Sequence, residues 1–347
     1  MPNLERLRVH AIFNSLFPPT TLKAAIRGLG FVQADPIRAP ARAQDLILRH
    51  RVNRYRAGDL ERRYASLDIE EDILYAYGFL PRSIWQLLHP RNLKGMPKLE
   101  KNVLDVVREF GAMHPRELEA HFGNARVVNA WGGYSKATTH ALEHLHYRGL
   151  LRIARREKGI RIYEVAPPVH EHVSPAERLR KLVMVVANIL APVSEASLLA
   201  NTARFRALGD IRSTLRDLMR AGELEKETSD RVTYLWPHTR AIPKSAPRMA
   251  RFLAPFDPLV WDRRRFEHFW GWPYRFEAYT PIARRVRGYY AMPLLWCDSV
   301  IGWANARVEG QRLIVDIGYV KKCPEDSDFR SELDAEIARL ETFLGLQ

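Results

Sequence analysis

Gln33 and Asp35 are the two residues of this chain whose types and spacing best suit catalysis. They lie two positions apart in residues 31–35, a short segment that Pro36 ends. In an extended backbone, side chains two positions apart point to the same face. An amide and a carboxylate would therefore lie side by side at the end of a strand. The alternative interpretation is that Asp35 caps the helix that follows.

The next segment, residues 38–56, contains six arginines and one aspartate. Within it, Arg42 and Arg49 are seven positions apart, so they would share one face of a helix. A carboxylate beside an arginine-rich helix predicts chemistry on a phosphate-bearing polymer. The candidate phosphate-contacting residues here are Arg38, Arg42 and Arg49.

The overall charge favours the same kind of partner. The chain has 347 residues, a formal net charge of +14 and 46% hydrophobic residues, enough for two or three domains with apolar cores. Such a positive excess raises the expectation of a polyanionic partner, above all nucleic acid. A generally basic soluble protein is the alternative.

Cysteine content and hydropathy bear on the compartment. The two cysteines, Cys297 and Cys323, do not make a disulfide framework, and we expect both to be reduced thiols. Charges interrupt the first residues where a signal peptide would need an apolar run, and no apolar stretch is long enough to span a membrane. We expect a cytoplasmic, nucleoid-associated protein.

One pattern occurs twice, in residues 96–168 and 173–237. Each copy reads as three helices followed by a two-stranded hairpin, the order of a winged-helix domain. Leu142, Leu145 and Gly149 of the first copy recur 73 positions later, in register. The recurring residues are Leu215, Leu218 and Gly222. The sequence therefore predicts an α+β fold with tandem winged-helix domains.

The third helices of the two copies differ in charge. In the second copy Arg212, Arg216 and Arg220 recur every four residues and form a basic stripe suited to phosphates. The corresponding face of the first copy is poor in such charge. The first copy could equally be a structural module.

The flanking regions complete the predicted organisation. Residues 1–95 form an N-terminal helical or winged-helix-like domain that carries Gln33 and Asp35, with residues 59–90 helical and aromatic. Residues 238–255 form a proline-rich linker. Residues 256–347 form a small antiparallel β-rich domain with a C-terminal helix.

Within that β-rich domain we expect four strands, with tight turns at Asp298-Ser299 and Glu309-Gly310. The strands are predicted near residues 274–279, 288–296, 300–308 and 312–319. Between the first two strands, three arginines would project from a hairpin tip that could enter a DNA groove. A solvated loop is the alternative. The three arginines are Arg284, Arg285 and Arg287.

Several common active-site patterns are missing from the sequence. The histidines on one predicted helix have no cysteine or acidic partner at metal-ligand spacing. There is no phosphate-binding glycine-rich loop and no serine-hydrolase motif. We therefore predict no metal and no cofactor.

Two long stretches, GFVQADPIRAPARAQDLILRHRV and FDPLVWDRRRFEHFWGWPYRFEAYTPIARRVRGYYAMPLL, resemble segments of one family, the AlkZ/YcaQ-like bacterial DNA glycosylases. The stretch DILYAYGFLPRSIW also fits. The resemblance implies tandem winged helices, a C-terminal β-rich domain and a DNA-probing hairpin at the three arginines. It also implies that Gln33 and Asp35 occupy a catalytic Gln-x-Asp motif. The middle residue, Ala34, is smaller than the aliphatic residues usual in that family, which bears on lesion preference.

The family resemblance implies a specific activity. Its members excise bulky alkylated purines and unhook interstrand crosslinks in DNA repair. We therefore predict a monofunctional, monomeric glycosylase whose partner is double-stranded DNA with alkylated, N7-modified bases. The alternative is a winged-helix transcription regulator without catalytic activity, which would have no need of a carboxylate facing DNA.

Overall fold

A computed structural model describes residues 3–91, 95–128, 134–169, 173–238 and 243–346. In these residues it contains fourteen α-helices, α1–α14 in chain order: Asn3–Ser15, Leu22–Leu29, Ala43–Leu48, Asp59–Arg63, Arg82–Leu88, Lys98–Phe110, Pro115–Phe122, Ala137–Arg148, Pro175–Ile189, Glu195–Thr202, Ile211–Arg220, Pro258–Trp261, Arg263–Trp270 and Ser327–Leu344. None of these helices is long and apolar enough to cross a membrane.

The same residues contain fourteen strands, β1–β14: Val32–Gln33, Ile69–Ile73, Tyr77–Pro81, Arg126–Val128, Tyr134–Lys136, Leu151–Glu157, Ile160–Val165, Val193–Ser194, Leu224–Ser229, Val232–Pro237, Ala250–Phe252, Met292–Trp296, Ser299–Glu309 and Arg312–Tyr319. They form three sheets, ordered β1-β3-β2, β8-β10-β9 and β11-β12-β13-β14, and the hairpins β4-β5 and β6-β7. All these strand pairs are antiparallel. The predicted mixture of helices and antiparallel sheets is confirmed.

Helices α1 and α2 lie in the N-terminal region that the sequence predicts to be helical. The Thr21 hydroxyl accepts a hydrogen bond from the backbone N–H of Ala24 and caps the start of α2. Gly30 ends α2 with φ of +75°, a left-handed conformation that favours glycine. This stop turns the chain directly into β1, which carries Gln33.

The prediction of a helical segment over residues 59–90 is wrong in its centre. Only α4 and α5 are α-helices there, and residues 69–81 form the β2-β3 hairpin. The run Glu70, Glu71 and Asp72 is acidic throughout, yet all three side chains are buried. Both faces of β2 are covered by basic partners, which the local sequence pattern does not reveal.

The arginine-rich helix predicted after Pro36 is also largely absent. Only α3 forms, with Arg42 as its N-cap residue and Arg49 as its C-cap residue. Prolines 36 and 40 restrict the backbone before it and remove two amide donors. The predicted shared helical face of Arg42 and Arg49 therefore does not exist.

In the two repeated segments, the predicted helices and hairpins are present. The first contains α6, α7, α8 and the β6-β7 hairpin, and the second contains α9, α10, α11 and the β9-β10 hairpin. Leu142, Leu145, Leu215 and Leu218 are all buried. Three short strands, β4, β5 and β8, were not predicted.

The C-terminal sheet differs from the prediction in three respects. Its edge strand β11 comes from residues assigned to the linker. Residues 274–279 do not form a strand, and the arginines after them lie on a loop with one turn of 3-10 helix, Ile282–Arg284. The two predicted tight turns are each displaced by one residue, to 297–298 and 310–311.

The largest apolar core joins distant parts of the chain. It contains Ile26 and Leu46 from the N-terminal region, Leu145 of α8 and Phe252 of β11. A cluster of this kind fixes the N-terminal sheet against both the first repeat and the C-terminal sheet. The candidate site lies among these three parts.

Candidate functional site

Gln33 and Asp35 lie at the end of a very short edge strand. In β1, Val32 and Gln33 pair with Phe79 and Gly78 of β3, and the Ala34 amide donates to the Tyr77 carbonyl at 3.0 Å. At Gly78, an added Cβ would lie 2.3 Å from the Val32 carbonyl oxygen, so only glycine permits this approach. The predicted extended segment is thus confirmed at 32–33.

The Asp35 side chain closes the turn at Pro36. Its Oδ1 accepts the Ile37 amide at 2.9 Å, and its backbone N–H donates to Gln44 Oε1 at 3.4 Å. Asp35 does not cap α3, because Arg42 occupies that position. Burial raises the pKa of Asp35 from its ordinary value, and the Ile37 hydrogen bond only partly opposes this.

Asp35 faces a cavity of about 230 Å³ that contains three arginines, Arg42, Arg156 and Arg161. Tyr77 and Gly159 also line this cavity. None of the cations in the described residues makes an ion pair with Asp35. The carboxylate is therefore left without a cationic partner in a basic cavity.

The arginines are held by other carboxylates. Arg42 pairs with Glu61, and Arg156 makes two hydrogen bonds to Glu71, at 2.8 and 2.5 Å. Arg161 is held more loosely, 4.0 Å from Glu71 and 4.4 Å above the Tyr77 ring centroid. Arg161 is therefore the cavity cation that is freest to meet a phosphate.

The buried acids of β2 organise this arrangement. Successive side chains alternate across the strand, so Glu71 points to one face while Glu70 and Asp72 point to the other. Burial alone would raise the pKa of Glu71, but hydrogen bonds and charge from Arg156 lower it overall. For Asp72, the His89 hydrogen bond and Arg91 outweigh burial and lower the pKa to about 2.

Two buried polar atoms have no hydrogen-bond partner among the described residues: Gln33 Oε1, within the motif, and the Tyr290 hydroxyl. Burial raises the pKa of Tyr290 strongly, and the Asp35 charge raises it further. Buried polar atoms normally have partners, so both atoms suit a water molecule or substrate group.

The predicted DNA-contacting arginines are distributed unevenly. Arg38 is exposed, and so are Arg212, Arg216 and Arg220 along α11. The side chain of Arg49 is only 3% exposed and pairs with Glu336 at 2.5 Å, so the prediction that Arg49 contacts DNA is corrected.

The Glu277 loop, residues 271–291, carries the remaining three arginines. Glu277 Oε2 accepts the backbone amides of Val286, Arg287 and Gly288 at 2.8 to 3.2 Å. Arg284 is exposed, Arg285 donates to the Thr280 carbonyl, and Arg287 lies over Trp272. Three apolar side chains on the loop are 77–80% exposed: Tyr279, Ile282 and Val286.

Sequence reasoning missed several residues of the cavity. Arg156 and Arg161 flank the predicted turn at Lys158-Gly159, and their charge was visible in the sequence. Their partner Glu71, however, lies 85 positions away from Arg156. Only the folded chain shows that the β6-β7 hairpin supplies a wall of the Asp35 cavity.

An unpaired carboxylate in an arginine-lined cavity fits an enzyme that acts on a polyanion. The sequence profile of one family, described as DNA glycosylase AlkZ-like, matches residues 26–343. The chain belongs to this family, and it is therefore a DNA glycosylase, a DNA-repair hydrolase that acts on N-glycosyl bonds.

Proposed function

We propose that this DNA glycosylase excises N7-alkylated purines and unhooks interstrand crosslinks, with Asp35 and Gln33 as its catalytic residues. The proposal rests mainly on the unpaired Asp35 carboxylate beside the arginine-lined cavity. Both repeated segments act as winged helices in this proposal, and the substrate is duplex DNA bound by a monomer. Its site of action is the cytoplasmic nucleoid.

The chemistry requires few groups. An N7-alkylated purine already carries positive charge, so it leaves without being protonated. As the N-glycosidic bond breaks, its electron pair moves to the base and neutralises it, while C1′ becomes oxocarbenium-like. The Asp35 carboxylate stabilises this cation and accepts a proton from the water that attacks C1′. Gln33 orients that water through its amide.

The products are a free base and an intact strand with an abasic site. Lyase chemistry would need a lysine amine to attack the sugar. No lysine lines the described wall of the Asp35 cavity. The reaction is therefore monofunctional, and borohydride should trap no covalent adduct between protein and DNA.

The size of the cavity bears on how the lesion is presented. Pockets that enclose small ligands span about 300–1,000 Å³, whereas the Asp35 cavity measures about 230 Å³. A bulky adduct or a crosslinked base would not fit inside it. We infer that Asp35 reaches the sugar while most of the lesion stays outside the cavity.

Exposed residues on two sides suit the DNA contact. The arginines of α11 can bind backbone phosphates, and the exposed apolar side chains of the Glu277 loop can contact bases. Arg38, three positions after Asp35 in the sequence, is also exposed. In the alternative interpretation of a transcription regulator, Asp35 would have no role, and family membership favours the enzyme.

The deciding experiment uses a duplex that contains one N7-methylguanine. Wild-type protein should release free N7-methylguanine in single-turnover conditions. Asp35→Asn keeps the shape of the side chain and removes its charge, so excision should fall by about 10²-fold or more. DNA affinity should stay the same or rise slightly, because a carboxylate repels phosphates.

Gln33→Ala should lose less activity than Asp35→Asn, since the amide carries no charge. Arg312→Gln is a matched surface control, because Arg312 is exposed on β14. Excision by Asp35→Asn at the wild-type rate would remove Asp35 from the mechanism. Inactive wild-type protein on both N7-methylguanine and crosslinked duplexes would refute the proposed lesion class.

A further inference from the structure

A second basic cavity lies away from Asp35. This cavity, called the α14 cavity below, has a volume of about 630 Å³. Its lining comes mainly from residues 49–56, from Met249 and Arg251 at the start of β11, and from α14. It shares no lining residue with the Asp35 cavity. The proposed excision chemistry does not use it.

Five arginines line the α14 cavity: Arg49, Arg54, Arg56, Arg251 and Arg339. The lining contains no carboxylate among the described residues. Behind it, Glu336 binds Arg49 at 2.5 Å and Arg339 at 3.1 Å, and it also accepts the Phe252 amide. The oxygens of Glu336 are thus occupied by these three donors.

The remaining arginines have no acidic partner in the described part of the chain. Arg54 and Arg56 are exposed at the rim. Arg251 is only 8% exposed, yet its Nη1 has no hydrogen-bond partner among the described residues, and its Nη2 bonds there to the Met249 sulfur alone, at 3.3 Å. Arg49 Nε is also buried without a partner among these residues.

A buried guanidinium without an anion is unfavourable, because removal from water penalises the charge. The same burial lowers the pKa of Arg251, although the Glu336 charge partly opposes this. A buried polar group without a partner in the protein suggests a ligand or water. Because the Arg251 guanidinium is cationic, the ligand that we expect there is an anion.

The rest of the lining indicates what the anion is attached to. Val52, Met249, Ala338 and Phe343 give the cavity an apolar wall. An arginine fork matches the oxygens of a phosphate group, and an apolar wall suits a ring or a sugar face. A phosphate within a rigid duplex would not reach the recessed Arg251, whereas a terminal phosphate would.

We propose that the α14 cavity binds a terminal phosphate ester of nucleotide size. The phosphate lies on Arg251, the rim arginines Arg54 and Arg56 hold further negative charge, and the organic part packs on the apolar wall. Such a phosphate comes either from a free nucleotide or from the 5′ end of a DNA strand. This inference is independent of the proposed lesion specificity.

The test uses full-length protein in phosphate-free buffer at low salt, titrated with AMP in a calorimeter. AMP should bind, and adenosine, which lacks the phosphate, should bind at least tenfold more weakly. Arg251→Met removes the recessed cation and keeps an apolar side chain of similar length. It should weaken AMP binding by roughly tenfold or more.

Two further variants make the result decisive. Arg54→Gln/Arg56→Gln changes only exposed rim residues. It should weaken AMP binding several-fold and leave folding unaffected. Arg312→Gln should bind AMP like wild type. Competition by 5′-phosphorylated duplex, but not by 5′-hydroxyl duplex, would assign the phosphate to a DNA end, and no competition would assign it to a free nucleotide.

The proposal is overturned if neither AMP nor pyrophosphate binds the folded wild-type protein at millimolar concentration. It is also overturned if adenosine binds as tightly as AMP. Binding that survives unchanged in the rim double variant and in Arg251→Met would place the ligand elsewhere, such as the Asp35 cavity, and would equally refute the site.

Discussion

At the residue scale, Asp35 combines two properties that rarely occur together on a surface acid. It is half-buried, and it has no cationic partner among the described residues despite three arginines in the same cavity. The arginines are directed instead at Glu61 and Glu71. A carboxylate kept free in this way can respond to a positive charge that develops on the sugar.

The rate of excision should therefore depend on pH through Asp35. Only the ionised carboxylate accepts a proton, and burial raises its pKa above the ordinary 3.8. The single-turnover rate should fall as the pH falls through this raised pKa, with the midpoint above 3.8. An acid limb centred at or below the ordinary value would contradict the assignment. The rate at which lesion DNA loses its base without protein, measured at each pH, is subtracted as the control.

The same pKa shift predicts an effect on stability. Because the native pKa is raised, the native state binds more protons than the unfolded state, so ionisation of Asp35 opposes folding. This loss of stability begins as the pH rises through the pKa of Asp35 in the unfolded state, and it is complete above the pKa of Asp35 in the native state. Asp35→Asn should be at least as stable as wild type at pH 7 in urea denaturation. A clear destabilisation would indicate a structural role for the charge.

Arg161 is the cavity residue best placed to bind a phosphate, because its carboxylate contacts are the longest of the three arginines. Arg161→Gln should weaken binding of lesion duplex and reduce the slope of log affinity against log salt by about 0.9, the value for one phosphate. Arg155→Gln, on the same hairpin but exposed and paired with Glu157, is the control. Equal slopes in both variants would exclude a phosphate contact by Arg161.

At the scale of elements, the Glu277 loop shows how a segment without regular structure is held in one shape. One carboxylate oxygen binds three successive amides, and Asn305 donates to the Arg287 carbonyl at 2.6 Å. Gly288 has φ of +117°, and an added Cβ would lie 2.4 Å from Asn305 Oδ1. The loop therefore presents exposed apolar side chains on a preorganised backbone.

We expect Tyr279→Ser/Ile282→Ser to impair lesion engagement without loss of stability. Both side chains are about four-fifths exposed, so their removal leaves no cavity. Stacking of a base on an aromatic side chain contributes about 1–3 kcal/mol, which corresponds to a loss of affinity for lesion duplex of about 5- to 160-fold. Val308→Ser, another exposed apolar residue on β13, is the control. Unchanged affinity would show that the loop stays away from DNA.

Elements with a local signal were predictable from the sequence, and those that depend on distant partners were not. The helices of the repeats have apolar residues at helical spacing, and α2 has both caps. Strand β2 has three consecutive acids, and their burial depends on basic partners from other elements, such as Arg152 and Arg156 of the β6-β7 hairpin. The spacing of Gln33 and Asp35 was enough to propose them as a candidate pair, whereas nothing local in the sequence predicted that arginines of the β6-β7 hairpin line the Asp35 cavity.

At the scale of the whole molecule, the site depends on three distant parts of the chain. Asp35 follows β1, Tyr77 begins β3, and Arg161 comes from the β6-β7 hairpin. Their relative positions are set by the shared core and by a buried ion pair. Arg51 and Asp257 form two parallel hydrogen bonds, at 2.9 and 3.0 Å, and both side chains are fully buried.

Asp257→Asn should therefore destabilise the protein as a whole by about 3–5 kcal/mol, the cost of leaving a buried charge without its partner. The remaining donors of Arg51 bind the carbonyls of Ser15 and Ile47, so it cannot turn towards water. The Asn side chain can still accept the hydrogen bond from the Leu259 amide, so the substitution removes the charge and keeps the helix cap. Urea denaturation measures the change.

The control is Asp316→Asn, which breaks an exposed pair with Arg307 and should cost less than about 1 kcal/mol. A similar small cost for Asp257→Asn would show that the pair does not hold the N-terminal and C-terminal parts together.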